Sequence, residues 1–182
     1  MYTLEVREGK SRLTVSDDKT FLQKEIFTGE LEWEYMKAVT EQSDAYIQPI
    51  KLINPTTYTM EYIENSMNFH TFFHKELFKK QKFDPDKLFY ICHNAMNTLF
   101  EHRKAIIKLH KKYVGIEHTD LTEYNLLVNL DDLSVKIMDI DSIRVSKGPW
   151  MMGGMTNSYK CTLNTIIHMQ TLVAEKRDIE IL

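Results

Sequence analysis

Between His118 and Asp141 the chain places three hydrogen-bonding side chains on two loops that flank a short apolar run. His118-Thr119-Asp120-Leu121-Thr122-Glu123-Tyr124-Asn125 comes first, and fourteen residues after Asn125 stands Asp139, within Met138-Asp139-Ile140-Asp141. In between, Leu126-Leu127-Val128 and Val135 to Met138 read as two strands joined at the turn Asp131-Asp132. A hairpin brings its two ends together, so the loop entering it and the loop leaving it lie side by side. The loops that flank this hairpin thus carry two carboxylates, Asp120 and Asp139, and one carboxamide, Asn125.

The rest of the chain divides into two stretches. Residues 2 to 8 and 11 to 16 alternate apolar and polar side chains around Glu8-Gly9-Lys10, and Thr20 to Phe27 follows the turn Asp17-Asp18-Lys19 as a third strand. From Gly29 the period becomes helical, with Leu31, Tyr35, Met36 and Val39 on one face. Tyr46 to Ile53 and Tyr58 to Ile63, split by Asn54-Pro55, complete a small sheet carrying one helix. Residues 64 to 68 read as a polar linker, and Phe69 to Phe78 as an amphipathic helix. Asp84-Pro85 marks the start of a long helix to about residue 112, with Leu88, Ile91, Cys92, Ala95, Leu99, Ile106 and Leu109 along one stripe. A last helix is expected over about 162 to 176. The predicted fold is α+β, with a β-rich unit over residues 1–63 and a mainly helical unit over 64–182.

Composition narrows the function classes. The 182 residues are 43% hydrophobic and 27% charged, as in a folded globular protein, with a net charge of -3 that offers no basic field to nucleic acid or acidic lipid. No apolar run reaches membrane-spanning length and Met1 to Glu5 does not read as a signal peptide, so a cytoplasmic setting is expected, including delivery into a host cytoplasm. Cys92 and Cys161 lie in apolar-rich segments and read as buried, reduced thiols.

The block from Asp120 to Asp139 resembles the catalytic and metal-binding loops of the protein-kinase-like superfamily, and the likeness extends over roughly residues 5 to 145. Phosphoryl transfer is mostly positioning and electrostatics, which is why those loops need these groups. The resemblance implies ATP and Mg²⁺ as cofactors, Asp120 as the catalytic base, Asn125 and Asp139 on magnesium, and His118 steadying the loop. It also implies that Lys24 contacts the phosphates and is held by Glu32, with Glu34 as the alternative partner and Lys19 as the fallback lysine. Thr59-Met60-Glu61-Tyr62-Ile63-Glu64 is similar to the hinge. There the Glu61 carbonyl and Ile63 amide would face adenine, with Met60 beside the pocket.

Departures from the family matter as well. Arg7-Glu8-Gly9-Lys10-Ser11-Arg12 holds a single glycine, leaving phosphate contact to Ser11 or Lys10. Thr119 stands where an arginine would receive an activation-loop phosphate. Asp139 is followed by Ile140-Asp141, a pattern more like aminoglycoside phosphotransferases and atypical kinases, and Asp141 reads as a second metal carboxylate or a loop cap. Only 43 residues follow Asp139, which resembles the trimmed kinases of bacterial effectors and phages. The expectation is a minimal serine/threonine protein kinase that acts on a docked protein. The alternatives are a pseudokinase binding module and a small-molecule kinase of aminoglycoside type. His70 and His74 lie one helical turn apart without an evident third ligand. The basic cluster around His102-Arg103-Lys104 reads as a solvated helix end. Trp150-Met151-Met152-Gly153-Gly154-Met155 reads as a flap, a docking patch or a packed loop.

Overall fold

Alternation of period two sets the inward face of the second and third strands in the computed structural model, which describes residues 1–7, 10–79, 83–145 and 152–181. Strands β1 (Tyr2–Arg7), β2 (Ser11–Val15), β3 (Phe21–Ile26), β4 (Pro49–Asn54) and β5 (Thr57–Glu61) form one antiparallel sheet in the order β1-β2-β3-β5-β4. On β2 the inward side chains are Ser11, Leu13 and Val15, and on β3 they are Leu22, Lys24 and Ile26. Lys24 is therefore carried to the buried face by the strand period itself. In the β3–β5 register Leu22 faces Met60 and Lys24 faces Tyr58.

Helix α1 (Trp33–Thr40) buries Met36, Val39 and Thr40. It starts later than the sequence pattern from Gly29 implied, and Glu32 occupies its N-cap rather than its body. The expected strand from Tyr46 is divided. Tyr46 and Ile47 leave the sheet to bridge Ile137, with Ile47 N donating to Ile137 O at 2.9 Å and Ile137 N to Ala45 O at 2.7 Å.

The polar segment expected as a linker ends in a strand. There β6 (Ser66–Asn68) pairs with β8 (Leu126–Asn129), which pairs with β9 (Val135–Ile137) as the expected hairpin. Helix α2 (Phe69–Leu77) is capped by Asn68, whose Oδ1 accepts from Thr71 N at 3.0 Å. Helix α3 (Pro85–Leu109) starts at the expected signal, with Asp84 Oδ1 accepting from Lys87 N at 3.0 Å. Its whole expected stripe is buried, and it docks on the hairpin through Asn94 Nδ2 to Leu133 O at 2.9 Å and Thr98 Oγ1 to Val135 O at 2.7 Å.

A further ladder was not legible in the sequence: β7 (Ile116–His118) pairs with β10 (Ile143–Val145). Helix α4 (Met152–Ile181) packs against α3 and is longer than expected at both ends. Its backbone includes Met152 to Met155, so these residues are helix rather than flap, while Trp150-Met151 and the Glu8-Gly9 turn lie outside the described residues. One contiguous core runs from Leu13 through Phe69 and Leu99 to Val173. Replacing a fully buried member such as Leu99 by alanine costs about 2–5 kcal/mol. Cys92 is buried and its thiol is pushed up to about 12 by burial, whereas Cys161, expected inside, is exposed. His102, expected at a solvated helix end, is buried too. No helix among the described residues is long and apolar enough to cross a membrane.

Candidate functional site

Pairing of β7 with β10 holds the two polar loops together. His118 lies opposite Ile143, and one residue further on Thr119 N donates to Ser142 O at 2.9 Å, with Thr119 Oγ1 on the same oxygen at 3.0 Å. From the hairpin side, Met138 N donates to Asn125 O at 2.9 Å. The loops from Thr119 to Asn125 and from Asp139 to Ser142 are thus tied at both ends. His118 is buried, with Nε2 3.2 Å from Met138 O, and burial holds its imidazole below the ordinary histidine value, hence neutral. It links the start of the first loop to the residue before Asp139.

Two of the three groups, Asp120 and Asp139, line one cavity, and the third, Asn125, is bonded to Asp120. Asn125 is buried, and its Nδ2 donates to Asp120 O at 2.7 Å and to Asp120 Oδ2 at 3.0 Å. The Asp120 residue is exposed, so its carboxylate is steadied on one side and open to solvent on the other. Asp139 adopts the left-handed conformation, φ 61° and ψ 39°, at the start of a short 3₁₀ turn over Ile140–Ser142. That bend turns its side chain back under the sheet, where Oδ1 meets Lys24 Nζ and Oδ2 accepts from Ser142 Oγ at 3.0 Å.

Lys24 is 5% exposed. Burial alone would favour its neutral form, but the carboxylates of Asp141 and Asp139 outweigh burial and hold the ammonium above its ordinary value. Asp139 is likewise held below the ordinary carboxylate range: burial opposes this, and the Lys24 charge and the Ser142 hydroxyl prevail. The second partner of Lys24 is Asp141 Oδ1, 2.6 Å from Nζ.

The expected Lys24–Glu32 pair is not formed. Glu32 Oε1 lies 3.8 Å from Arg144 Nη1, and Oε2 accepts from Val145 N at 3.4 Å. The alternative, Glu34, accepts from Tyr113 OH at 2.7 Å, and the fallback lysine, Lys19, pairs with Glu64. The reason is local: α1 begins after Glu32, which leaves that side chain beside β10 instead of beneath β3. Three contributors escaped the sequence reading, namely Asp141 as a lysine partner, Ser142 and Tyr58. Ser142, three residues after Asp139, carried a readable signal; the other two depend on sheet register.

Two neighbouring cavities open under the same sheet face. A polar one of about 270 Å³ is lined by Ser11, Lys24, Asp120, Asp139, Asp141 and Arg144 among others. An apolar one of about 240 Å³ is lined by Leu13, Leu22, Met60, Ile63, Leu127 and Met138, with Glu61 at its edge. Leu13 and Leu22 contribute to the second, Ser11 and Lys24 to the first. The cavities are therefore offset by two residues along β2 and β3, about 7 Å. Lys10 also borders the polar cavity. Glu61 is tied by its side chain to Lys136 Nζ at 2.5 Å, and the Ile63 carbonyl accepts from Ser66 Oγ at 2.7 Å.

The oxygen donors here, Asp139, Asp120 and the Asn125 carboxamide, suit a hard cation such as Mg²⁺. That ion usually takes one or two carboxylates and completes its shell with phosphate oxygens and water. His70 and His74 sit with ring centroids 4.3 Å apart, and Tyr124 OH lies 3.1 Å from His70 Nε2. Among the described residues no group of three or more His, Cys, Asp or Glu is arranged to hold a metal ion. No protein-family model matches the chain, and no curated protein matches it.

Proposed function

We propose that this chain is an ATP- and Mg²⁺-dependent phosphotransferase with a two-lobed, protein-kinase-like architecture, acting on a hydroxyl of a protein. The observation that carries this reading is the meeting of Lys24 from the sheet with Asp139 and Asp120 at one polar cavity, with the buried Asn125 bonded to the Asp120 carboxylate. That cavity adjoins an apolar one under the same strands. The apolar cavity suits a purine base, with Glu61 and Ile63 on its rim. The polar one suits a phosphate chain, with Lys24 and Ser11 available to its oxygens.

In the reaction Asp120 orients the attacking hydroxyl and accepts its proton, and Asn125 keeps that carboxylate in place. Asn125 and Asp139 are the residues that would hold Mg²⁺, which supplies charge neutralisation at the phosphates when bound. Lys24 meets the same phosphates from the sheet side. Exposure of Asp120, rather than enclosure in a deep pocket, supports an acceptor carried on a protein surface.

Transfer of label from γ-labelled ATP to a generic protein acceptor or to the chain itself tests this. The wild type is expected to transfer, and Asp120→Asn to fall by about 10²- to 10⁴-fold, the usual worth of a positioned base. Equal label in both would remove Asp120 from the chemistry.

A second reading, a nucleotide-binding module without turnover, is favoured by one observation: Lys24 already occupies the Asp139 carboxylate. It is separated from the first by a thermal-shift titration. If Mg²⁺ with ATP raises the unfolding midpoint while no label moves, the binding module is the better description.

A further inference from the structure

We propose that Asp141, seated by the Tyr58 hydroxyl, is the positioning residue for Lys24, taking the part that the family pattern gives to an acidic residue on the helix. The proposal deepens the phosphotransferase reading and rests on it for its meaning in catalysis, though not for its geometry.

Lys24 and Tyr58 stand directly opposite each other on β3 and β5. Both are buried, Tyr58 completely, and both bring their polar tips to one atom: Asp141 Oδ1 lies 2.6 Å from Lys24 Nζ and 2.9 Å from Tyr58 OH. Two donors on adjacent strands fix that oxygen from below the sheet. The 3₁₀ turn fixes its backbone from the other side, where Ser142 N donates to Asp139 O at 2.9 Å. A buried ammonium without such a partner would be strongly disfavoured.

The two carboxylates on Lys24 are not equivalent. Both line the polar cavity with Asp120, but Asp139 has its other oxygen held by the Ser142 hydroxyl, whereas the Asp141 oxygen on Lys24 is itself held by the buried Tyr58 hydroxyl. Asp139 can be released toward a cation while Lys24 keeps Asp141, so one lysine and one carboxylate remain paired at every stage. Glu32 is meanwhile committed to Arg144 and the Val145 amide. The lysine anchor thus sits on the same loop as Asp139, and no acidic side chain of α1 is bonded to it.

The test reads Lys24 itself. Acylation by a small amine-reactive ester, without nucleotide, is followed at Lys24 by peptide mass spectrometry in the wild type, Asp141→Asn, Tyr58→Phe and Glu32→Gln. Asp141→Asn is expected to raise the labelling rate several-fold, because Nζ then loses one of the two carboxylates that hold it. Tyr58→Phe should raise it less, and Glu32→Gln should leave it at the wild-type rate. Tyr58→Phe removes only a hydroxyl, so it carries the test should Asp141→Asn fail to fold. Unchanged labelling in the Asp141 and Tyr58 variants, or a larger rise in Glu32→Gln, overturns the proposal.

With ATP turnover as the second readout, Asp141→Asn should raise the KM for ATP at an unaltered Mg²⁺ requirement, and Asp141→Glu should restore it in part. A shifted Mg²⁺ requirement with wild-type labelling would make Asp141 a metal ligand instead and overturn the proposal. If the wild type neither binds nor turns over ATP, the phosphotransferase reading falls, and the labelling comparison still decides whether Asp141 anchors Lys24.

Discussion

Asn125 reaches back five residues to Asp120, with one Nδ2 serving both the backbone carbonyl at 2.7 Å and the carboxylate at 3.0 Å. A buried amide therefore fixes the direction of an exposed acid. Asn125→Asp would place two carboxylates within about 3 Å, and both cannot ionise cheaply there. The pair's folded proton affinity would rise above that of a free carboxylate, so the variant keeps its stability at low pH and loses it as pH rises. Unfolding midpoints of variant and wild type should diverge between about pH 4 and 7. A constant gap would mean that the two side chains do not face each other.

Helix α4 braces the same loop from behind. Ser158 Oγ and Thr162 Oγ1 both donate to Leu121 O, at 2.7 and 2.6 Å. Removing either donor leaves the carbonyl partnered, and Ser158→Ala or Thr162→Val should each cost about 0.5–1.5 kcal/mol. The double variant strands the oxygen and should lose more than the sum, with a coupling of roughly 0.5–3 kcal/mol in a denaturant cycle. Simple additivity would show that the two bonds are independent of Leu121.

Leu127 and Met60 both line the apolar cavity. Leu127 is only partly buried, so Leu127→Trp should fold with a midpoint near that of the wild type while filling the cavity. ATP affinity, measured by calorimetric titration, is expected to fall at least about tenfold, or about 1.4 kcal/mol. Undiminished affinity would put the base elsewhere.

Whether a feature is legible in the sequence depends on whether it is local. Asp84-Pro85 starts α3 because an N-cap acid and a first-turn proline act within four residues, and the 126–137 hairpin declares itself by alternation. The β7–β10 ladder did not, since three-residue strands far apart in sequence carry no period. Glu32 was misassigned because the start of α1 fixes where its side chain falls, and Asp141 was underrated because only the Lys24–Tyr58 register gives it a role. Cys161 follows the same logic. The inward face of α4 is Thr162, Ile166, Met169 and Val173, so its neighbour one residue earlier points out.

Acid sensitivity should trace to His102, whose Nδ1 lies 2.7 Å from Tyr46 OH inside the core. Burial first, then the His118 and Arg103 neighbours, push its imidazole down to about 3 from the ordinary 6.5. Between those values the unfolded chain binds the extra proton, so stability falls as pH falls, by up to about 1.4 kcal/mol per pH unit. The slope of unfolding free energy against pH between 5 and 6 should be shallower in His102→Gln. Parallel slopes would place the sensitive group elsewhere.

The bend at Asp139 restricts that position twice over. Glycine and asparagine accept a positive φ readily but bring no charge, while glutamate brings the charge on a side chain that visits such a backbone reluctantly. Aspartate alone among the twenty residues meets both demands. A library randomised at that codon and selected for turnover should therefore return its starting residue, whereas one selected for thermal survival need not.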